Sequence, residues 1–476
     1  MDESSIREMV SGKRVAVLGY GISNRPLVRL LGSYGASIEV YDEKSPDELG
    51  PEARENVRNG VRFSAWKPEN EQLLSGVDYV FRTPGIRPDC AAISSAVRNG
   101  SVLTSEMELF FDLTPATVIG ITGSDGKTTT TNLTRRILES ALERRGLPGR
   151  VYMGGNCGVP LLPFVTEMTR DDFAVVELSS FQLMTMRRSP NRAVLTNVTP
   201  NHLNWHRDMN EYILAKSQIM RHRPVSRVVL NADNAVTLTL GKNTDIPVTY
   251  VSLRRSGWQR IVPEWQDRAS AVYVKDGWIC RSAPHSTEER ILDTADILLP
   301  GAHNTENYMF AIAVLDGLAG PEDVRNVAVS FAGVEHRLEI VREWNGIRFI
   351  NSSIDSTPSR TLVSLQAVGG HPVVILGGRD KHLDYDELAA RLYRQAKGVV
   401  LTGEAAGLIR DALDRCPGKT DVPVRTEPVF ADAVRAAVSM AGPGDTVLLS
   451  PACTSFDAFA NFEERGRTFK TLINEL

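Results

Sequence analysis

Short apolar runs separated by polar, helix-compatible stretches recur along the whole chain. In the N-terminal region these runs are RVAVL at 14–18, SIEVY at 37–41 and VDYVF at 77–81, and a helix is predicted to begin at Pro26. Strands that alternate with helical segments are typical of a parallel sheet flanked by helices. The first region is therefore predicted to be an α/β domain.

A second series of apolar runs begins at Thr117. TVIGIT leads into a glycine-containing loop and a helix, and it is followed by FAVVE at 173–177, AVLTN at 193–197 and RVVLN at 227–231. Near-continuous apolar runs suit parallel strands that are buried on both faces. Between 248 and 299 the pattern changes to short alternating segments, which predict a small β elaboration.

A third series comprises IRFIN at 347–351, PVVILGG at 372–378, GVVLTG at 398–403 and DTVLLSP at 445–451. Its alternation with helical segments again indicates βαβ units. We therefore predict an α/β fold of three domains, of which the first and third are Rossmann-like and the central one is a P-loop ATPase-type parallel sheet. Their predicted bounds are 1–112, 113–332 and 333–476.

Composition narrows the class of protein. A chain of 476 residues exceeds one ordinary domain. Its 42% hydrophobic and 24% charged residues suit a soluble globular protein, and a net charge of −4 gives no general attraction for nucleic acid or anionic lipid. There is no secretory signal, no run near the roughly 20 apolar residues of a membrane span, and no paired cysteine motif. We expect a cytoplasmic monomer with neither nucleic-acid binding nor membrane insertion.

The strongest single motif is GSDGKTT at 123–129, which lies between a predicted strand and a predicted helix. Glycines let backbone N–H groups approach phosphate oxygens, and the helix directs its positive end at the same phosphates. Lys127 would neutralise phosphate charge, and the Thr128 hydroxyl would bind Mg²⁺. Ile121 stands where the usual phosphate-loop motif has its first glycine, so an ordinary glycine turn capped by Thr128 is the alternative.

A weaker motif lies after the first predicted strand. Gly19-x-Gly21-x-x-Asn24 resembles a dinucleotide fingerprint without its third glycine, and Asp42 follows at the expected interval. Taken alone, this motif could indicate NAD binding. Asn24 is expected to crowd the packing of helix on strand, and the alternative role of Asp42 is to cap the end of a strand.

Together with several later motifs, the phosphate loop resembles that of the Mur ligases. These motifs are GGNCGVP at 154–160, VVELSSFQL at 175–183, NHLNWH at 201–206, YILAKSQI at 212–219, GAHNTEN at 301–307, EHRLE at 335–339 and SPACTSFDAFANFEERG at 450–466. They span all three predicted domains, and the last resembles the D-glutamate-adding members. The aspartate-asparagine-proline-arginine signature of the diaminopimelate-adding members is missing, and only His371 stands where the alanine-adding members have two histidines.

The resemblance implies an ATP-dependent ligation. ATP would phosphorylate the alanyl carboxylate of UDP-N-acetylmuramoyl-L-alanine, and the amine of D-glutamate would attack the acyl phosphate, releasing ADP and phosphate. Transfer of a phosphoryl group between anionic partners requires converging cations, here Lys127 and Mg²⁺. ATP and Mg²⁺ are therefore the expected cofactors, and peptidoglycan precursor synthesis is the expected process.

The same resemblance implies four catalytic side chains, which are Lys127, Glu177, His202 and Lys216. Mg²⁺ is expected at Thr128, Glu177, His202 and Lys216, the last as a carbamylated lysine. Carbamylation needs a neutral amine and converts a cation into an oxygen-bearing anion that can bind Mg²⁺. Without the resemblance, Glu177 would be a strand terminus, His202 a packing residue and Lys216 a solvated helix residue.

The substrate sites implied by the resemblance fall into three groups. The candidates for ATP are Gly123, Ser124, Asp125, Gly126, Lys127, Thr128, Thr129, Asn304 and Arg337. The candidates for the UDP-substrate are Gly19, Gly21, Ile22, Ser23, Asp42, Thr83, Gly85, Asn156 and His202. The candidates for D-glutamate are Lys381, Ser455 and Phe462. A loop cap for Asn304 and a surface charge for Lys381 are the alternatives, and Ser352 stands where the family commonly has an aspartate.

Three other functions compete with this interpretation. A folylpolyglutamate synthase would share the phosphate loop, but the folate ligases lack the N-terminal domain. A nucleotide-binding regulator could sense a cell-wall precursor without ligating it, and phosphate release that depends on D-glutamate would separate the two. An oxidoreductase would use the first domain for a nicotinamide cofactor, whose absorbance would reveal it.

Overall fold

Each apolar run named above lies in, or overlaps, a strand of the computed structural model. The structure describes residues 3–203, 205–263, 268–299, 301–380 and 383–476. These residues form three sheets, and the chain divides into two compact units, 1–331 and 332–476. The prediction of an α/β fold built on parallel sheets is confirmed.

The first sheet lies in the first unit and has the strand order β3-β2-β1-β4-β5, with all its pairs parallel. Its strands are β1 Arg14–Leu18, β2 Ser37–Asp42, β3 Arg62–Ala65, β4 Tyr79–Arg82 and β5 Val102–Thr104. Its helices are α1 Glu3–Val10, α2 Asn24–Ser33, α3 Pro46–Leu49, α4 Pro51–Arg58, α5 Ala91–Arg98 and α6 Glu106–Leu113. The reversal of strand order at β1 is the point at which Rossmann-like sheets bind ligands.

The second sheet, also in the first unit, has the order β14-β13-β12-β11-β10-β9-β6-β8-β7 among the described residues. Its strands are β6 Thr117–Thr122, β7 Val151–Gly155, β8 Phe173–Glu177, β9 Arg192–Leu195, β10 Arg227–Asn231, β11 Val248–Ser252, β12 Ser270–Lys275, β13 Trp278–Ser282 and β14 Glu289–Asp293. Its helices are α7 Lys127–Arg145, α8 Ser180–Leu183, α9 Met209–Ser217, α10 Ala235–Lys242, α11 Trp258–Ile261, α12 Ala302–Val314 and α13 Pro321–Ala328.

The pairing within the second sheet explains where its chemistry lies. Strand β6 is central and pairs in parallel with β8 and β9, so the carboxyl ends of these three strands meet at one edge. Strands β13 and β14 are antiparallel, and they form the β elaboration predicted from the alternating pattern. The phosphate loop therefore lies between the ends of two buried strands.

The second unit contains the third sheet, of order β15-β16-β20-β17-β18-β19. Its strands are β15 Glu339–Trp344, β16 Ile347–Asn351, β17 Val373–Gly377, β18 Gly398–Thr402, β19 Val424–Thr426 and β20 Thr446–Leu449. Its helices are α14 Pro358–Val368, α15 Asp386–Gln395, α16 Ala406–Arg415, α17 Phe430–Met440 and α18 Phe462–Asn474. The antiparallel pair of β15 and β16 turns at Asn345 and Gly346, both at positive φ.

Burial follows the apolar runs closely. The five residues of β17 and the five of β18 are buried throughout, as both faces of a parallel sheet covered by helices require. Burial of each such apolar side chain contributes about 1.5–3 kcal/mol to folding. None of the described helices is both long enough and apolar enough to cross a membrane.

Candidate active site

The loop between β6 and α7 requires glycine at two positions. Gly123 has a φ of 154° and Gly126 a φ of 79°. A Cβ atom on Gly123 would lie 1.9 Å from the Thr196 Oγ1 atom, and one on Gly126 would lie 2.5 Å from the Asn307 Oδ1 atom. Ile121, which replaces the first glycine of the usual motif, is fully buried within β6. The loop therefore begins at Gly123 and is shorter than the usual motif.

Buried polar side chains fix the shape of this loop. The Asp125 N–H donates to Asn197 Oδ1 at 2.9 Å, and the Asp125 carbonyl accepts from Thr196 Oγ1 at 2.6 Å. The Ser124 hydroxyl lies 3.0 Å from the Tyr212 hydroxyl and accepts from the Thr199 N–H at 2.9 Å. These bonds occupy the Ser124 side chain, so its contribution to a ligand would come from the backbone.

Two lysine side chains converge on the loop. Lys127 Nζ donates to the carbonyls of Gly123 and Ser124, both at 2.8 Å. Lys216 Nζ, at the end of α9, donates to the same Gly123 carbonyl at 2.7 Å and lies 4.7 Å from the centre of the Tyr212 ring. Lys216 is therefore not the solvated residue that its helical setting alone suggests, because only 2% of it is exposed.

The surroundings of Lys216 favour its neutral form. Burial lowers the pKa of Lys216 well below its ordinary value, and the positive charge of Lys127 lowers it further. The carboxylates of Asp125 and Glu177 raise it, but they do not reverse the shift. The shift in pKa therefore favours the neutral amine, which is the nucleophilic form of lysine.

Glu177 ends β8 beside the loop, and it is 2% exposed. Its Oε1 atom accepts a hydrogen bond from Asn156 Nδ2 at 2.7 Å, while its Oε2 atom is buried without a hydrogen-bond partner. A buried carboxylate oxygen without a donor is unfavourable, and a hard cation would satisfy it. Together with the Thr128 hydroxyl in the first turn of α7, this oxygen fits the ligand chemistry of Mg²⁺.

His202 lies in the exposed segment after β9, at a positive φ of 55°. Its ring makes an edge contact with the Phe181 ring, with 5.0 Å between the two centres. Phe181 belongs to α8, which begins three residues after Glu177. The structure therefore places His202 against the helix that follows the carboxylate.

Helix α12 packs against the start of α7 and brings Asn304 to the loop through Asn307. Asn307 Nδ2 donates to Asn304 Oδ1 at 3.2 Å, and Thr130 Oγ1 donates to Asn307 Oδ1 at 3.2 Å. The sequence analysis did not single out Asn307, although residues three apart share one face of a helix. The three-residue spacing between Asn304 and Asn307 is the sequence signal that could have identified Asn307.

The glycine turn after β1 differs from its prediction in one respect. Asn24 does not crowd the packing, because its Nδ2 atom donates to the carbonyls of Leu18 at 3.3 Å and Gly19 at 2.8 Å. Gly19 is required, since it has a φ of 82° and its Cβ would lie 2.8 Å from Thr83 Cγ2, but a Cβ on Gly21 would meet nothing. Ile22 is 72% exposed beside the open Gly21 position.

Asp42 and Ser23 have local roles in the same turn. The Asp42 carboxylate accepts from the N–H groups of Tyr20 at 2.7 Å and Lys44 at 3.0 Å, so it caps the end of β2. Ser23 is the residue before α2, but its side chain makes no capping hydrogen bond. The capping alternative for Asp42 is thus what the structure contains.

Thr83 and Gly85 follow β4, and a buried arginine holds their loop. Arg82 is 1% exposed and donates to the carbonyls of Pro84 at 3.1 Å and Ile86 at 2.6 Å. It also donates to the Phe181 carbonyl at 2.8 Å, in the second sheet's α8. The sequence analysis missed Arg82 because its partner lies 99 residues away, and no local pattern reports such a contact.

The candidates in the second unit lie in two neighbouring segments. The His336 ring lies 6.1 Å from the ring of Phe462, and Arg337 is the next residue along the chain. Ser455 is buried. Lys381 lies outside the described residues, so its prediction has no structural counterpart here.

Ser352 and Asp355 in the second unit bear on the absence of the aspartate that the family commonly has at position 352. Ser352 is fully buried, and its hydroxyl accepts from the Leu338 N–H at 3.3 Å. The nearby carboxylate of Asp355 accepts from the hydroxyls of Ser364 at 2.6 Å and Ser450 at 2.8 Å. A buried carboxylate is thus present three residues after Ser352.

Cys453 is buried beside the Tyr385 hydroxyl, which lies 3.2 Å from its sulfur atom. Burial raises the pKa of the Cys453 thiol to about 11. The thiolate is the reactive form of cysteine, so this residue is chemically inert at neutral pH.

The chain is similar to known proteins over its whole length. Residues 121–315 match the Mur ligase middle domain, and residues 336–453 match the Mur ligase glutamate ligase domain. The UDP-N-acetylmuramoylalanine--D-glutamate ligase of Acetivibrio thermocellus is 39% identical over 99% of this chain and 98% of that protein. The protein of the same name from Ruminiclostridium cellulolyticum is 40% identical over 98% of this chain and 97% of its own length.

Solved structures share the fold at much lower identity. The UDP-N-acetylmuramate-alanine ligase of Thermotoga maritima has a TM-score of 0.52 at 17% identity, covering 97% of this chain and 99% of that chain. The two named sequence relatives are 39–40% identical to this chain over nearly its whole length, which establishes the family. The chain belongs to the Mur ligase family.

Proposed function

We propose that this protein ligates D-glutamate to UDP-N-acetylmuramoyl-L-alanine through an acyl phosphate, with cleavage of ATP to ADP and phosphate, in peptidoglycan precursor synthesis. The observation that carries the proposal is the full-length similarity, at 39–40% identity, to ligases named for this reaction. The intact phosphate loop, with Lys127 and Glu177 beside it, supports catalysis rather than sensing alone.

The phosphate loop would bind ATP with its backbone and with Lys127. Helix α7 begins at Lys127, so its positive end points at the loop. An ammonium group held at two loop carbonyls can turn to phosphate oxygens at little cost when they arrive. Charge on the transferring phosphoryl group would then be stabilised as it develops. The predicted ATP set also includes Thr129, Asn304 and Arg337.

Mg²⁺ would be held by Glu177, Thr128, His202 and Lys216, and it would neutralise phosphate charge. Lys216 can take this part only as a carbamate, which forms when its neutral nitrogen attacks CO₂ and releases a proton. The buried amine with its lowered pKa supplies the neutral nitrogen that this reaction needs. Its position at the Gly123 carbonyl would place the new carboxylate beside the loop.

The remaining substrates would use the other predicted groups. The first-sheet turn with Gly19, Gly21, Ile22, Ser23 and Asp42 would hold the UDP portion, together with Thr83 and Gly85. Asn156 and His202 would meet the muramoyl-alanine end, where Asn156 already orients Glu177. D-glutamate would bind to Lys381, Ser455 and Phe462. We also propose that the protein is a cytoplasmic monomer of three domains, at 1–112, 113–332 and 333–476.

Phosphate release from ATP in the presence of UDP-N-acetylmuramoyl-L-alanine tests the proposal. We expect release with D-glutamate, and only background release with L-glutamate or without an amino acid. Lys127→Ala should reduce the rate by at least about 100-fold, because it removes a preorganised cation from the transition state. Lys67→Ala, at an exposed lysine of the first unit, is the matched control and should keep the full rate.

Other outcomes separate the competing functions. Release with neither glutamate, although ATP and the UDP-substrate bind, would favour a sensor of cell-wall precursors. Equal release with D- and L-glutamate would exclude a D-glutamate-specific ligase. Ligation of a folate in place of the muramoyl substrate would identify a different ligase.

A further inference from the structure

A continuous series of hydrogen bonds joins the loop after β4 to α9, which carries Lys216, and to α8, which begins three residues after Glu177. It runs from Arg87 to Glu211, then to His206, and ends at Ser180. We name these four residues the Arg87–Ser180 relay. All four lie in the first unit, and two of its bonds span 124 and 26 residues of sequence.

The first step of the relay is an ion pair with two-point geometry. Arg87 Nη2 donates to Glu211 Oε1 at 2.9 Å, and Arg87 Nη1 donates to Glu211 Oε2 at 3.2 Å. The guanidinium also lies 4.9 Å from the centre of the Trp205 ring, whose indole N–H donates to the Gly85 carbonyl at 3.3 Å. A paired, stacked arginine of this type fixes direction as well as distance.

His206 is the centre of the relay, and both of its ring nitrogens are used. Its Nδ1 atom lies 3.3 Å from Glu211 Oε2, and its Nε2 atom lies 2.9 Å from the Ser180 hydroxyl. The carboxylate can only accept, so Nδ1 carries the proton and Nε2 accepts from Ser180. The ring is 1% exposed and stacks on Phe181, with 5.4 Å between the centres.

Three residues of the relay lie on, or next to, elements with proposed functions. Ser180 begins α8, three residues after Glu177, and Glu211 lies in the first turn of α9, which carries Lys216. Arg87 follows the loop with Thr83 and Gly85. A displacement of His206 would therefore shift Glu177, Lys216 and the loop after β4 together.

We propose that His206 is a positioning residue for the ligation, which holds α8, α9 and the loop after β4 as one rigid unit. This inference rests on the proposed function, because ligation is one of its readouts. Outer partners that orient metal-binding groups typically change affinity or activity by about 10- to 100-fold when they are removed. The relay would orient Glu177 and Lys216 in the same way, as an outer partner of both.

His206→Phe tests the role of the relay, since it keeps an aromatic ring beside Phe181 but removes both hydrogen bonds. We expect kcat to fall about 10- to 100-fold. We also expect the calorimetric Kd for UDP-N-acetylmuramoyl-L-alanine, measured without ATP or metal, to rise about tenfold, since the freed loop must be ordered on binding. His222→Phe is the control, because the ring of that half-buried histidine bonds to Gln218, four residues away, and its bond to Ser189 uses the backbone N–H that the variant keeps; it should change neither value.

Arg87→Gln provides the second arm, since its side chain is 26% exposed and its loss is better tolerated than that of a buried ring. If both residues act through one relay, the double variant should lose little more than His206→Phe alone. Multiplying effects, or a lower unfolding temperature with unchanged kcat and Kd, would overturn the inference. Should His206→Phe fail to fold, unchanged kcat and Kd in Arg87→Gln would overturn it equally.

The proposed function can fail separately. If the wild-type protein does not ligate D-glutamate but the variants still weaken binding of the UDP-substrate, the ligation is wrong and the positioning of the loop stands. If the wild-type protein ligates and the variants match it, only the relay is wrong.

Discussion

The glycine turns after β1 and β6, both in the first unit, differ in the side chains bonded to them: a carboxylate at the first turn and two lysines at the second. The turn after β1 has the carboxylate of Asp42 2.7 Å from the Tyr20 N–H, and its second glycine faces open space. The turn after β6 is crowded at both glycines and has Lys127 and Lys216 bonded to its carbonyls. A glycine turn at the end of a strand can thus serve several ligands. The charge of the surrounding side chains determines how much negative phosphate charge the turn can bind.

We propose that this difference assigns the two turns to different ligands. A triphosphate carries more charge than the diphosphate of a sugar nucleotide, and it would need the Lys127 ammonium and the Mg²⁺ proposed at the second turn. The carboxylate beside the first turn disfavours dense phosphate charge and suits a hydroxyl donor. Substitutions at each turn test this difference.

Gly123→Ala should have the largest effect. The new Cβ would lie 1.9 Å from Thr196 Oγ1 at a φ of 154°, so the loop would have to move. We expect ligation to fall by at least about 100-fold, because the donors aimed at phosphate are displaced. Steady-state kinetics measures the loss, and Gly149→Ala, which is equally strained but remote from the loop, should lower the unfolding temperature instead. Near-normal kcat in Gly123→Ala would mean that the loop does not hold the phosphates.

Lys216→Ala should follow in size. Removal of the group that would become a carbamate is expected to reduce kcat by about 100-fold, and short carboxylic acids should restore part of it by supplying the missing oxygens. The dependence of the rate on added acetate, propionate and formate is the measurement. Chloride at equal ionic strength is the control for a salt effect. A variant that keeps its activity, and so needs no rescue, would count against the carbamate.

Gly21→Ala tests the ligand of the turn after β1. Nothing lies within 4 Å of the new Cβ, so the fold should keep its unfolding temperature. If the phosphates of the UDP-substrate approach the backbone here, its calorimetric Kd should rise about tenfold while the Kd for ATP stays constant. Equal effects on both ligands would remove the distinction between the turns.

The predictable part of the molecule is the part in which local sequence carries the information. Strand β8 has the predicted bounds, since a buried parallel strand is a continuous apolar run, and the loop at Gly123 was evident from its glycines. Strand β15 was missed because EIVREW contains only half-buried and exposed residues at a sheet edge and so has no apolar run. Arg82 and His206 were missed because Phe181 and Ser180, to which they bond, are distant from them in sequence.

Asp42→Asn should have the smallest effect. The amide keeps one acceptor oxygen and loses the other, so one of the two hydrogen bonds to Tyr20 and Lys44 is lost. We expect the free energy of unfolding to fall by about 1 kcal/mol. Urea denaturation measures this change, with Asp47→Asn at an exposed helix start as the control. A larger loss of UDP-substrate affinity than of stability would add direct ligand contact to the capping role.

Transfer of isotopic oxygen from substrate to phosphate tests whether ligation proceeds through an acyl phosphate. UDP-N-acetylmuramoyl-L-alanine labelled with ¹⁸O in its alanyl carboxylate is incubated with the protein, ATP, Mg²⁺ and D-glutamate, and the released phosphate is analysed by mass spectrometry. Ligation through an acyl phosphate predicts one ¹⁸O atom in each phosphate and one amide product for each ADP. Unlabelled phosphate, released without an amide product, would contradict the account, because ATP would then have been hydrolysed by water alone.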